Sequence, residues 1–141
     1  MTRSGRWLVR GKLWRQLGRA EAGLVGAQYV GANHGARQEP YVVRGAAAAP
    51  WLFASTGLAD GATFGRYGIE IDARTPASPP ATQLLAEIPN LVTGRSAEMT
   101  YYETAGGAVA FDAGVLDFAA SLDQPPGSRL VENLWTRRSR P

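Results

Sequence analysis

A-E-M-T-Y-Y-E-T-A-G-G-A-V-A-F-D-A-G (residues 97–114) is the stretch on which the fold turns. Residues 97–103 alternate well enough for a strand. Residues 105–107 turn the chain, and residues 108–111 return as a second, hydrophobic strand, so the segment predicts a β-hairpin. Tyr101 and Tyr102 would then point to opposite faces, one into the core and one to the surface. A second glycine-flanked segment, G-I-E-I-D (residues 68–72), lies upstream. In a strand Ile69 and Ile71 face one way while Glu70 and Asp72 face the other. A carboxylate beside an apolar wall has its charged form disfavoured, which raises its pKa toward values useful for proton transfer. The plainer reading is that Glu70 and Asp72 lie on a solvent face or hold a neighbouring loop.

Outward from these two segments, short strands are expected at residues 24–30, 41–43, 51–54 and 69–72. Residues 83–88 read as a strand or a short helical turn ended by Pro89. The stretch V-L-D-F-A-A-S-L after Gly114 reads as extended. Residues 129–137 read as a closing helix with Leu130, Val131, Leu134 and Trp135 on its apolar face. Residues 7–19 are loosely helical, weakened by Gly11 and Gly18. Loops fill residues 31–40, which carry His34, the glycine-rich 57–68 and the proline-rich 75–82. The fold class is therefore α/β and strand-rich, with much loop for one domain.

The chain has 141 residues, nine prolines, 17 glycines and no cysteine. Its length allows one domain with a modest core. The lack of cysteine excludes disulfides and thiolate metal sites and fits a reducing, cytoplasmic setting. No run of 18 apolar residues suggests a membrane helix, and no apolar core of a signal peptide follows the basic start. The formal charge of +3 is uneven: the first 19 residues carry +6, and residues 20–136 carry −6. A basic tail could meet nucleic acid or an acidic partner, but no helix-turn-helix or RNA-binding strand motif accompanies it. With one histidine, a zinc or two-histidine iron site cannot be built. Tyr101 and Tyr102 could serve as phenolate ligands, although core packing is the commoner role for such a pair. No nucleophile elbow or phosphate loop is present.

Several segments taken in order carry a family resemblance. They are G-K-L-W-R-Q-L-G-R-A-E-A-G-L-V-G-A-Q-Y (11–29), P-Y-V-V (40–43), W-L-F-A-S-T-G (51–57), D-G-A-T-F-G (60–65), G-I-E-I-D, A-E-M-T-Y-Y-E (97–103), G-A-V-A-F-D-A-G (107–114) and L-V-E-N-L-W (130–135). Over roughly residues 11–137 the chain resembles the C-terminal region of the N,N-dimethylformamidase large-subunit-like family. The resemblance implies a domain over residues 11–137 between a basic tail at 1–10 and another at 138–141. It implies the C-terminal portion of a class I glutamine amidotransferase-like three-layer fold, here incomplete. It also implies an amide hydrolase whose mononuclear iron is held by two tyrosines and a glutamate, the latter in a His-x-Glu-Tyr-Trp motif, with an asparagine in Gly-Gly-Asn.

This chain has neither motif. Iron is therefore expected only if an upstream or partner segment supplies its ligands, and the isolated chain is expected to be inactive. Carried over through G-I-E-I-D, the resemblance gives Glu70 an acid/base role toward a small amide substrate. The expected partners are a complementing polypeptide or a second copy. The alternatives are a non-catalytic binding or assembly module and a small basic nucleic-acid binder.

Overall fold

The computed structural model describes residues 13–139. In chain order, a 3₁₀ turn (Trp14–Leu17) is followed by the helical turn α1 (Ala22–Val25) and the strands β1 (Gln28–Ala32) and β2 (Glu39–Val43). Then come the helical turn α2 (Pro50–Phe53), β3 (Thr63–Tyr67), β4 (Glu70–Ala73) and the long strands β5 (Gln83–Val92) and β6 (Arg95–Glu103). The chain continues through β7 (Val109–Asp112), a second 3₁₀ turn (Leu116–Ser121) and the helix α3 (Gly127–Ser139). Two sheets result: a five-stranded one in the order β3-β2-β5-β6-β7, and a two-stranded one of β1 and β4. Every pairing among the described residues is antiparallel.

The hairpin forms where the alternation places it. Thr100 pairs with Asp112, Tyr101 with Phe111 and Tyr102 with Ala110. Both faces of β6 are covered. Tyr101 packs edge-on against Trp51 of α2, with ring centroids 5.2 Å apart. On the opposite face the Tyr102 hydroxyl donates to the Leu24 carbonyl at α1. The pair expected to split between core and surface is therefore buried at both positions. Asn133 of α3 donates to the carbonyls of Leu52 and Ala54, both at 2.8 Å, and so fixes α3 on α2. Tyr41, Phe64, Tyr67 and Phe118 form an aromatic centre with neighbouring centroids 5.1–6.4 Å apart.

Five stretches differ from the sequence reading, each for a local reason. Residues 24–30 are not one strand: α1 ends at Gly26, at φ +91°, and β1 starts only after it. Residues 51–53 are helical, not extended, because Pro50 opens the turn at a position that favours it. The glycine-rich loop 57–68 contains β3, whose Phe64 and Tyr67 are buried across a register shift. Residues 116–121 coil into a 3₁₀ turn that inserts Phe118 alone into the core and carries Asp117 to the Gly68 N–H at 3.0 Å. Strand β5 runs through Pro89, which sits at an irregularity between Ile88 and Val92, the kind of position where a strand tolerates proline.

Two backbone constraints set the position of β4. Ile69 has φ +69°, a conformation costing a non-glycine residue about 1–2 kcal/mol. Asn33 offsets it: its side-chain oxygen accepts the Ile69 N–H at 2.8 Å, and its own N–H donates to the Ile69 carbonyl at 2.8 Å. On the other side Gly114, at φ +79°, lies directly on the backbone of β6. A Cβ there would sit 2.5 Å from the Glu98 carbonyl oxygen. The Asp72 N–H donates to the Gly114 carbonyl at 2.9 Å, and Ile71 bridges to Val115.

Replacing Gly114 by alanine is therefore expected to lower stability by about 2–4 kcal/mol, combining conformational strain with a backbone collision. Gly107→Ala is the control. It has the same sign of φ, +81°, but open space around the new methyl, so it should cost only about 1 kcal/mol. Urea unfolding of the two variants measures the difference.

Candidate functional site

Strand β4 and the exit from β7 bring carboxylates to one seam. Ile71 is fully buried, so Glu70 and Asp72 project from the other face of β4. Asp72 is half-buried and its backbone is tied to Gly114. Asp112 ends β7 and accepts the Gly114 N–H at 2.7 Å. Gly114 is thus the hinge common to both acids. Opposite Asp112 across the pair of strands stands Thr100, fully buried, whose hydroxyl has no hydrogen-bond partner among the described residues.

Burial raises the Asp72 carboxyl to about 6, with help from the negative charges of Asp112 and Glu70 and against the pull of Arg15. Asp112 is also raised by burial, partly offset by its bond from Gly114. The charge of Asp112 thus adds to the burial that disfavours ionisation of Asp72. Tyr41, fully buried, has its phenol pushed well above the ordinary range, first by burial, then by the neighbouring Tyr67 and the acids Asp117, Asp112 and Asp72. Its hydroxyl donates to the Ala113 carbonyl and braces the same turn.

Glu70, the carboxylate singled out from the sequence, is exposed opposite Ala32 of β1 and makes no ion pair or hydrogen bond among the described residues. The structure places it beside Asp72 on one strand face but leaves it in solvent. Asp72 shared that face in the sequence reading; Asp112 was passed over. The signal for Asp112 was its place in F-D-A-G at the end of the returning hairpin strand, where a turn carries the carboxylate back toward the sheet.

Beside β4 opens a cleft of about 660 Å³ lined by Arg15, Tyr29, Arg74, Arg95, Ser96 and Glu98. Arg74 grips Glu98 with its guanidinium at 2.9 Å and its backbone N–H at 2.9 Å. Arg15 pairs with Glu21 at 3.2 Å. Arg95 donates to the Val30 carbonyl. Two of the three guanidinium groups are thus matched by carboxylates, and the cleft is polar without a large net charge. No group of three His, Asp or Glu side chains suited to a metal ion occurs among the described residues. No helix there is long and apolar enough to cross a membrane.

Residues 2–132 match the family described as N,N-dimethylformamidase beta subunit-like, C-terminal, and the chain belongs to that family. The matched description names the beta subunit, where the sequence segments resembled the large subunit. No curated protein matches the chain.

The raised Asp72 carboxyl makes a pH prediction. Its folded pKa lies above the unfolded value near 4, so its stabilising contribution is complete below about pH 4 and is lost as pH rises through about 6. Asp112 shifts in the same direction. Asp72→Asn should therefore exceed the unmodified chain in stability by roughly 1–2 kcal/mol at pH 7.5, after allowance for solvent screening. The two should converge below about pH 4. Denaturant unfolding across this range measures it.

Proposed function

We propose that this member of the dimethylformamidase beta subunit-like family forms the β-rich C-terminal wall of an amide hydrolase, with Asp72, Asp112 and Glu70 handling its protons. The observation that most supports it is Asp72, a half-buried carboxylate with a pKa of about 6 whose next two residues along the chain, Ala73 and Arg74, line the open polar cleft. Amide hydrolysis needs a proton taken from the attacking water and a proton delivered to the leaving nitrogen. A carboxylate that titrates near 6 does both at neutral pH: ionised, it accepts the water proton, and protonated, it returns that proton to the amine. Asp112 keeps Asp72 from ionising too readily, and Arg15 keeps it from staying protonated. In this reading Glu70, exposed on the same strand face, is a second carboxylate that meets the small amide substrate.

The iron implied by the resemblance does not fit the residues present. Tyr41, Tyr101 and Tyr102 each commit their hydroxyls inside the protein, to Ala113, Glu103 and Leu24, and Tyr67 shares its own with Ser121 at 2.6 Å. Burial, chiefly, and the bond to Glu103 also hold the Tyr101 phenol above its usual range, which disfavours the phenolate a metal would need. We assign the iron ligands and the amidotransferase-like three-layer core to a complementing polypeptide, and the chain itself to the C-terminal part of the large subunit. A second reading, a non-catalytic assembly module, is favoured by the exposed apolar side chains between Leu13 and Tyr29.

The chain alone is expected to hydrolyse no formamide and to carry no stoichiometric iron, as read by metal analysis of purified protein. In an enzyme complemented with its catalytic partner, the rate should rise with pH through about 6 and then level. Asp72→Asn should erase that limb and lower turnover by about 10²–10⁴. Glu70→Gln with turnover equal to the unmodified enzyme would remove Glu70 from the mechanism while leaving Asp72 in it.

A further inference from the structure

We propose that the cleft beside β4 binds a small molecule by its carboxylate, held by Arg95 and Ser96, so that the amide served by this chain carries a carboxylate of its own. Three separated segments converge on this cleft of about 660 Å³, and each brings one arginine: Arg15, Arg74 and Arg95. Their hydrogen-bonding groups are unequally spent. Glu98 gives both oxygens to Arg74: Oε2 accepts the backbone N–H and Nε at 2.9 Å each, and Oε1 accepts Nη2 at 3.3 Å. Arg15 is matched by Glu21 at 3.2 Å. Arg95 has no carboxylate at ion-pair distance among the described residues. Its guanidinium donates to the Val30 carbonyl, which orients the planar group and leaves its other N–H donors free. The Ser96 hydroxyl accepts the Asn90 N–H at 3.2 Å, so its own hydrogen is left to donate.

The unspent capacity of Arg95 and Ser96 is therefore donor only, and the ligand must bring the acceptors. Three guanidinium groups against Glu21 and Glu98 leave one positive charge, which matches a single negative one. A carboxylate fits, because its two oxygens lie in one plane and meet a guanidinium fork with two parallel bonds. Val30 and the Tyr29 ring offer an apolar wall for the rest of the molecule. Tyr29 also leads from the cleft to the acid. It pairs with Asp72 across β1 and β4, and directly opposed residues share one face with Cβ atoms about 5 Å apart. Arg15, whose guanidinium lies 6.0 Å from the Tyr29 ring centroid, is the cation that acts on Asp72. A molecule held at Arg95 by its carboxylate would extend its amide along Tyr29 toward Asp72. This inference rests on the proposed function for the amide, but carboxylate capture is read by binding alone.

The test titrates the full chain with N-acetylglycine and with its uncharged counterpart N-acetylglycinamide, followed by NMR. The acid should shift the signals of Tyr29, Arg95 and Ser96 and bind about ten-fold more tightly than the amide, as a charge-assisted fork allows. Arg95→Gln should bring that preference down to about one-fold. Arg95→Lys should keep part of it, because the charge stays while the fork is lost. Arg66→Gln, at an exposed arginine on β3 outside the cleft, should keep all of it. Arg95 also ties down Val30, so circular dichroism checks that its variants fold; the comparison of acid with amide on the unmodified chain needs no variant. Equal binding of acid and amide, or of neither, overturns the proposal. So does inorganic phosphate that binds as tightly as the acid, or a loss in Arg66→Gln equal to that in Arg95→Gln. Asp72→Asn should leave the preference in place, so carboxylate capture and the acid/base role stand or fall separately.

Discussion

The structure depends on one close approach, that of the Gly114 backbone to the backbone of Glu98. There the chain leaves β7, lies against the β6 backbone without a side chain in the way, and presents its carbonyl to Asp72 and its N–H to Asp112. Both acids are positioned by the same residue, and the two-stranded sheet is attached to the five-stranded one through the neighbouring Ile71–Val115 bridge. Tyr41 reinforces the arrangement from the core, because its hydroxyl meets Ala113, the residue just before Gly114. A site built this way rests on backbone geometry, which packing fixes more firmly than a loop of free side chains could.

The energetic logic is a trade between strain and burial. Ile69 adopts a left-handed conformation that a β-branched residue ordinarily avoids, and Asn33 and Asp117 fasten the residues around it. The result is that β4 starts at Glu70 with Ile71 aimed inward. Asp72 then loses water without gaining a cationic partner at hydrogen-bond distance, since Arg15 bonds to Glu21 instead. Strain and an uncompensated carboxylate in adjacent residues are what a region shaped by function, not by stability, would show.

The hairpin, β4 and α3 were legible because each advertises its period: alternation in residues 97–111, the I-E-I-D pattern, and the Leu130–Leu134 face. Glu70 and Asp72 were correctly placed on one face, but the sequence could not rank them. Asp72, unlike Glu70, lies against the Gly114 turn far along the chain, a non-local fact. Helical turns at Ala22–Val25 and Pro50–Phe53 were read as strands because short apolar runs have no distinguishing period. Strand β3 was hidden among glycines, since its inward residues Phe64 and Tyr67 are spaced by a register irregularity and not by two. The family match over residues 2–132 supports the segments that carried the resemblance, although the antiparallel pairing seen here is something none of them individually announced.

The alternation in β4 also bears on solubility. A two-stranded sheet is nearly all edge, and unpaired edges recruit other chains. Here the strand cannot slip by one position in search of a new neighbour. Such a slip would turn Ile71 to solvent and drive Glu70 and Asp72 together into the apolar centre that Ile71 now fills, where neither has a cation to meet it. The acids of the seam thus act as gatekeepers, discouraging the misaligned pairings from which aggregates grow.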